Sequence, residues 1–263
     1  MELIEALILG IVQGLTEFLP VSSSGHLEIM KFLLNDDSIA EQSLLTTVFL
    51  HFATAFATLV VFRNDILDLL KGLVSGQREA LMFSLYIVIS MIPAAFVGVF
   101  FADWIEAFFH RNILFVAFML ILTGVILFIS EKINSGQKEM GVLSAMIIGL
   151  SQAIAILPGI SRSGSTIATA LILGVEKSKA ARFSFLMVIP LIFGKIAKDL
   201  LSGDFAAHMP SVPYLTIGFL SAFITGIFAC TWMINIVKNS KLSWFSYYCF
   251  IVGIAIIAYS FYT

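Results

Sequence analysis

The sequence predicts an all-α polytopic membrane protein with six transmembrane helices and two re-entrant helix-turn-helix hairpins, arranged as an inverted-topology repeat. Of its 263 residues, 59% are hydrophobic and 12% are charged, which is far more apolar than a soluble domain of this size tolerates. Several apolar runs reach the length of about 20 residues that a membrane span needs. Two runs, one in each half, break at a proline into a serine- and glycine-rich turn.

The first broken run opens the chain. Residues 1–19 form an apolar helix that stops at Pro20, and residues 26–34 continue it only briefly before the polar Asn35. Neither half is long enough to cross a bilayer alone, so we expect a re-entrant hairpin over about residues 1–34. Irregular backbone at membrane depth is tolerated only where protein or a wet cavity covers it. The turn is therefore predicted to be covered.

The same order returns in the second half. A second hairpin is predicted over about residues 142–173, around Pro158, and three spans follow each hairpin. The predicted spans cover residues 43–62, 80–101, 112–130, 183–201, 212–236 and 243–262. We expect one membrane domain, 1–263, built from repeats 1–140 and 141–263. Because each repeat has an odd number of spans, the second must lie upside down relative to the first.

Basic residues predict the orientation, because loops on the cytoplasmic side carry an excess of Lys and Arg. With both termini and the first hairpin outside, the inner loops, including a charged loop over residues 63–79, hold most of them. These are Arg63, Lys71, Arg78, Lys132, Lys138, Lys177, Lys179, Arg182, Lys238 and Lys241. With 15 basic against 17 acidic residues, the chain lacks the excess of positive charge that is typical of nucleic-acid binding.

The first hairpin carries a carboxylate where leucine would be expected. Glu17 lies four residues after Gln13, so the two share a helix face. A carboxylate at the bilayer centre costs on the order of 3 kcal/mol on insertion scales, so Glu17 must face a partner or water. One interpretation is a structural pairing with Arg162 or His26. The other, which we favour, is a functional role beside the groups of the turn.

The turn that follows supplies hydroxyl and imidazole groups. Ser22, Ser23 and Ser24 precede Gly25 and His26, which begins a short helix. His26 is placed for general base or nucleophile work, because hydroxyls and a carboxylate lie nearby. We expect the remaining histidines to be hydrogen-bonded bystanders: His51, His110 and His208.

Arg162 lies in the second turn, between Ser161 and Ser163, with Thr166 one helical turn further on. A guanidinium takes phosphate oxygens two at a time, and N–H groups at a helix N-terminus satisfy others. A structural arginine that caps helix ends is the alternative. The pattern favours a site for a phosphate or diphosphate and disfavours cation transport.

These two motifs resemble the signature regions of the bacterial undecaprenyl-diphosphate phosphatase family, also described as bacitracin-resistance proteins. The resemblance lies in the Gln13-x-x-x-Glu17 spacing, the Ser22–His26 turn and the run Pro158-Gly159-Ile160-Ser161-Arg162-Ser163. The resemblance extends over essentially the whole chain. It implies a multi-pass enzyme of the bacterial cytoplasmic (inner) membrane that removes the terminal phosphate of C55 undecaprenyl diphosphate. The site would face the periplasm or exterior, and the product would be the lipid carrier for cell-wall synthesis.

The resemblance also implies a divalent cation, Mg²⁺ or Ca²⁺, with Glu17 as its ligand. Some family members have glutamate where this chain has Gln13, so the essential charge falls on Glu17. Catalytic roles fall on Glu17, His26, Ser23 and Arg162, and substrate-binding roles on Gln13, Ser22, Ser24, Ser161, Ser163 and Thr166.

Several alternatives stay open at this point. Attack on phosphorus would come from His26, from a hydroxyl of Ser22 to Ser24, or from water. A lipid-phosphate transporter or flippase would use the same inverted repeat and the same arginine. Small-residue faces at Gly10 and Gly14 serve packing within the chain or between two copies, which leaves a homodimer open.

Overall fold

The computed structural model describes residues 2–34, 40–106, 108–109, 112–133, 136–202, 210–239 and 242–261, and within them it is helical. The first half contains α1 (Glu2–Phe18), α2 (Ser23–Leu33), α3 (Ala40–Val61), α4 (Arg63–Val74), α5 (Arg78–Phe100), α6 (Ala102–Glu106) and α7 (Ile113–Lys132). The second half contains α8 (Val142–Ile154), α9 (Arg162–Ile172), α10 (Lys177–Ser202), α11 (Val212–Asn239) and α12 (Ser243–Ser260). All of the predicted helical segments are found.

Membrane-spanning character follows from length and composition. Four helices in the described part of the chain are long and apolar enough to cross a bilayer: α5, α7, α11 and α12. Leu45–Val61 of α3 and the helix α4, Arg63–Val74, are together also long and apolar enough, but the chain bends by 73° at the break between them. The helices also expose large apolar side chains outward, Ile92 and Phe96 on α5 and Ile224 and Phe228 on α11 among them. An apolar outer surface of this kind suits lipid rather than water.

One predicted element differs from expectation. The segment predicted as a charged loop after residue 62 is instead α4, and this part of the prediction was wrong. Its charges alternate with apolar side chains such as Leu67 and Leu70, which remain exposed, and this is the pattern of a helix lying at the membrane interface. The predicted span 183–201 lies within α10, which is long enough to cross a bilayer.

The hairpin helices pack against the other half of the chain. In the first half α1 lies along α11, and in the second half α8 lies along α5. Glycine allows both approaches: a Cβ at Gly10 would lie 2.5 Å from the carbonyl oxygen of Gly218, and one at Gly149 would lie 2.5 Å from that of Ser90. The predicted small-residue faces therefore serve packing within this chain.

The main hydrophobic core lies around the second hairpin. Phe183 and Phe185 of α10 pack there with Ile167 and Leu171 of α9, and Phe18 at the end of α1 joins the same cluster. Cys230 and Cys249 are buried free thiols, as expected from their apolar surroundings. This packing holds the ends of α1 and α8 close to the starts of α2 and α9, where the two turns lie.

Candidate active site

The two proline turns meet inside the protein. The hydroxyl of Ser163 in the second turn donates to the carbonyl oxygen of Leu19 in the first, at 3.2 Å. A Cβ at Gly25 would lie only 2.9 Å from the Cα of Gly159, so the turns touch at the level of the backbone. Gly159 itself has a φ of 95°, a conformation that side chains with a Cβ rarely adopt. The two turns thus form a single junction.

Each turn starts its helix in the same way. The side chain of Ser22 accepts from the backbone N–H of Gly25 at 3.2 Å, and that of Ser161 accepts from the N–H of Gly164 at 3.0 Å. Serine caps of this kind satisfy one of the free N–H groups at a helix start. Ser22 has a positive φ of 71°, a strain of order 1–3 kcal/mol that is typical of functional sites.

Glu17 is the centre of the junction, and its side chain is only 6% exposed. One carboxylate oxygen, Oε1, forms an ion pair with Nη2 of Arg162 from the second hairpin. The other, Oε2, accepts from the Ser23 hydroxyl at 2.6 Å and from Nε2 of Gln13 at 3.0 Å. Nε2 of His51 lies 3.4 Å from the same oxygen. Side chains from α1, α2, α3 and α9, and thus from both predicted turns, therefore meet at one carboxylate.

The imidazole that contacts Glu17 is His51, not His26. Sequence analysis assigned His51 to the hydrogen-bonded bystanders; its Nδ1 does lie 2.8 Å from the carbonyl oxygen of Thr47, but α3 also brings its ring to the carboxylate. His26 is engaged elsewhere: Nδ1 lies 2.8 Å from the carbonyl oxygen of Ser22, and Nε2 lies 2.9 Å from the hydroxyl of Tyr248. His110 and His208 lie outside the described residues.

The second turn is anchored by hydroxyl groups of neighbouring helices. Arg162 donates through Nη1 to the carbonyl oxygen of Ser184 at 3.5 Å, and Thr166 and Ser184 share a hydroxyl contact of 2.6 Å. Thr123 of α7 accepts from the backbone N–H of Ser161 at 3.0 Å and donates to the carbonyl oxygen of Gly159 at 3.0 Å. These contacts fix the backbone from which Arg162 extends.

The remaining predicted residues line the same junction. Ser24 lies 3.4 Å from Ser22, hydroxyl to hydroxyl, and Ser161 lies at the same distance from Ser163.

Sequence reasoning missed four residues that complete the site: Thr54, Thr123, Ser184 and Tyr248. Each lies on a helix outside the two motifs, and a single threonine, serine or tyrosine in a membrane helix carries no sequence signal that distinguishes it from ordinary packing.

Oxygen atoms at the junction fit a divalent cation. The Oε1 atom of Gln13 is buried and has no hydrogen-bond partner among the described residues, and Gln13 shares a helix face with Glu17. Amide and carboxylate oxygens are the ligands that Mg²⁺ and Ca²⁺ prefer. The described residues hold no group of three His, Cys, Asp or Glu side chains that could bind a metal by themselves. Substrate oxygens would have to complete the coordination.

Comparison with known proteins identifies the family. The model of the family described as "Bacitracin resistance protein BacA" matches residues 6–255, which is nearly the whole chain. The chain belongs to the BacA family. Its members include a protein of Christiangramia forsetii named undecaprenyl-diphosphatase, which is 56% identical over 262 residues and covers 99% of each chain.

Other relatives with the same name come from other organisms. The protein of Parabacteroides distasonis is 49% identical over 260 residues, with 97% of each chain covered. That of Korarchaeum cryptofilum is 40% identical over 268 residues, which covers 98% of this chain and 99% of the relative. The match to the BacA family confirms the resemblance seen in the two motifs, and it supports a multi-pass membrane protein.

Proposed function

We propose that this chain is a membrane phosphatase that hydrolyses undecaprenyl diphosphate to undecaprenyl phosphate and inorganic phosphate. The observation that carries the proposal is the junction of the two turns, where Arg162 and the hydroxyl groups surround Glu17. The names of the BacA relatives point to the same reaction. The product is the lipid carrier that cell-wall synthesis reuses, and its recycling confers resistance to bacitracin. The relatives favour hydrolysis over the transporter alternative.

Arg162 binds the diphosphate. Its side chain is 17% exposed, so part of the guanidinium is open to a ligand while Glu17 and Ser184 hold the rest. A guanidinium that shifts from the carboxylate to phosphate oxygens exchanges one negative partner for another, and its fork can then donate to two phosphate oxygens. As the bond to the leaving group breaks, the fixed positive charge stabilises the negative charge that develops on the phosphoryl oxygens.

Ser23 is the nucleophile that the geometry supports best. Its hydroxyl already donates to Glu17 at 2.6 Å, which is the relationship between a serine and its base. Attack by Oγ on the terminal phosphorus forms a Ser23–phosphate bond and breaks the bond from that phosphorus to the bridging oxygen. The proton passes to Glu17, and undecaprenyl phosphate leaves. Water then hydrolyses the phosphoserine and releases inorganic phosphate.

His26 is placed to serve the water step. Because a carbonyl oxygen only accepts, the 2.8 Å contact with Ser22 requires that Nδ1 carry the proton. The Nε2 atom of the neutral ring therefore holds a free electron pair, which can accept a proton from the attacking water. His26 is three positions from Ser23 on the same helix, α2, so one helix carries both groups.

A divalent cation would be held by Glu17 and the free Oε1 of Gln13, with diphosphate oxygens as further ligands. Bound there, it would neutralise phosphate charge during transfer.

The prenyl chain requires an apolar surface beside the junction. Phenylalanine side chains of three helices form such a surface next to His51: Phe49, Phe52 and Phe56 of α3, Phe193 of α10 and Phe219 of α11. Ring centroids in this cluster are 4.7 to 6.4 Å apart, and Phe56 is exposed. We place the isoprenoid tail along these rings, where each buried methylene contributes about 0.8 kcal/mol.

We also propose the inverted repeat and its orientation. The pairing of α1 with α11 and of α8 with α5 supports the repeat, because α5 and α11 hold equivalent places in the two halves. Six spans require that α3 and α10 cross the membrane, although α10 carries charges near its C-terminal end. The excess of basic residues in the inner loops supports an inner-membrane protein with its site and termini on the periplasmic or exterior side.

The test is phosphate release from undecaprenyl diphosphate by the purified protein in detergent with Mg²⁺ or Ca²⁺. We expect Arg162→Ala to lower kcat/KM by about 100- to 1,000-fold, the usual effect of removing a donor to a developing anion. Arg63→Ala is the matched control, because the exposed Arg63 side chain donates to the carbonyl oxygen of Val60 in the last turn of α3 and lies away from the junction. Translocation of the lipid in proteoliposomes without phosphate release would overturn the proposal.

A further inference from the structure

Two neighbouring side chains of α12 reach the first turn: Cys249 lies 4.0 Å from the carbonyl oxygen of Pro20, and Tyr248 contacts His26. Its hydroxyl lies 2.9 Å from Nε2 of His26, and the two rings stack with centroids 5.6 Å apart and an angle of 13° between their planes. The two residues are 222 positions apart in the chain, so the contact is a feature of the tertiary fold. His26 is 8% exposed, so few other groups can reach it.

The direction of this hydrogen bond follows from the other ring nitrogen. Nδ1 donates to the carbonyl oxygen of Ser22, so Nε2 of the neutral ring has no hydrogen and must accept. The hydroxyl of Tyr248 is therefore the donor. It covers the electron pair that the water step of the proposed reaction requires.

We propose that Tyr248 is a positioning residue for His26. Ring stacking holds the imidazole in its plane, and the phenol donor stabilises the tautomer that the carbonyl oxygen of Ser22 selects, in which Nε2 has the free electron pair. When water and the phosphoserine occupy the junction, the hydroxyl of Tyr248 turns away and Nε2 accepts the proton of the water. Tyr248 undergoes no covalent change. The effect of Tyr248 on turnover rests on the proposed function, whereas its hydrogen bond to His26 does not.

The chain offers a matched control in the adjacent residue. Tyr247 is 51% exposed and Tyr248 is 42% exposed, and both lie on α12. The ring of Tyr247 packs edge-on against Phe128, away from His26. Tyr248→Phe removes the hydroxyl and keeps the stacked ring, whereas Tyr247→Phe removes an equivalent hydroxyl from the other side of the helix.

The first measurement does not depend on turnover. Diethyl pyrocarbonate modifies an imidazole nitrogen that has a free electron pair, and mass spectrometry of digested protein locates the adduct on His26. We expect the rate of His26 modification to rise several-fold in Tyr248→Phe and to stay at the wild-type rate in Tyr247→Phe. An unchanged rate in Tyr248→Phe would show that the hydroxyl does not cover Nε2 and would overturn the proposal.

The second measurement is steady-state phosphate release. We expect kcat of Tyr248→Phe to fall by about tenfold while KM stays within twofold, because the substrate-binding groups are untouched. Unchanged kcat alongside faster modification would confirm the hydrogen bond and overturn the positioning role. Absence of phosphate release by the wild-type protein would instead overturn the proposed function, and the modification rates would still test the contact. Equal melting temperatures for the two variants establish that both are folded.

Discussion

Arg162 and Glu17 form an ion pair across 145 positions of the chain, and it joins the two hairpins at their turns. Both side chains are largely withdrawn from solvent, at 17% and 6% exposure. Neither charge can therefore recover by hydration what it loses when its partner is removed. The pair couples the stability of the fold to the charge balance of the candidate site.

Removing one partner is consequently expected to destabilise the protein more than removing both. Arg162→Ala leaves a buried carboxylate without its main counter-charge, a loss of about 3–5 kcal/mol for a fully buried pair. The double variant Arg162→Ala with Glu17→Gln restores part of this loss. Thermal unfolding in detergent, followed by circular dichroism, measures both. A single variant as stable as the wild type would contradict the expectation.

Ser23→Ala is expected to lower kcat by about 100-fold or more, because it removes the hydroxyl that Glu17 polarises. Ser130→Ala is the control: the hydroxyl of this buried serine donates to the carbonyl oxygen of Leu127 within α7, away from the junction. Trapping of phosphoserine at Ser23 during turnover checks the mechanism directly. A normal rate in Ser23→Ala, with no phosphoserine trapped in the wild type, would point to direct attack by water instead.

His51→Gln is expected to lower kcat about tenfold, since the contact with Oε2 of Glu17 at 3.4 Å would be lost or weakened and the carboxylate would be held less firmly. Thr58→Val, on the same helix, removes only a bond from the hydroxyl to the backbone of Thr54. Its kcat should match the wild type. Equal rates in the two variants would return His51 to the status of a bystander.

Gly14→Ala is expected to destabilise the fold by about 1–3 kcal/mol. A Cβ at this position would lie 2.6 Å from the carbonyl oxygen of Ala222, so α1 and α11 would have to separate. Gly98→Ala, where the added Cβ would meet nothing within 4 Å, should be neutral or slightly stabilising because alanine favours helix. Melting temperatures of the two variants in detergent test the contrast. The prediction fails if both shift equally.

Outside the membrane, Glu139 and Lys179 form an exposed pair at 2.8 Å. The hydrogen bond from Lys179, with its charge, lowers the pKa of Glu139, and the same bond raises the pKa of Lys179. Stability from the lowered carboxyl pKa is present above its unfolded-state pKa and disappears as pH falls through the folded-state pKa. The small difference in melting temperature between wild type and Glu139→Gln should therefore vanish in acid and shrink in high salt. A difference in melting temperature between wild type and Glu139→Gln that persists in acid would contradict this prediction.

The parts of the fold that depend on local chemistry could be predicted from the sequence. Pro20 and Pro158 stop helices, and Ser22 and Ser161 start new ones, so the ends of α1 and α8 and the starts of α2 and α9 were predicted to within a few residues. The helix α4 was missed because its charges resemble those of a loop, whereas its apolar residues repeat at helical spacing on a membrane surface.

The candidate site was predictable only in part, for a physical reason. Helical spacing shows which residues share a face, so Gln13 and Glu17 could be paired in advance. It does not show which face of another helix they meet. The contacts of His51 with Glu17 and of Tyr248 with His26 depend on how α3 and α12 pack. No residue pattern in those two helices predicts that packing.

The ion pair between the two hairpins also places a demand on biosynthesis. Translation at about 5–20 residues per second separates the emergence of Glu17 from that of Arg162 by on the order of ten seconds. During that interval the nascent chain already contains His51, but not the arginine. Glu17 therefore cannot form this ion pair until α9 has been synthesised, so the charge balance of the junction is completed late in translation.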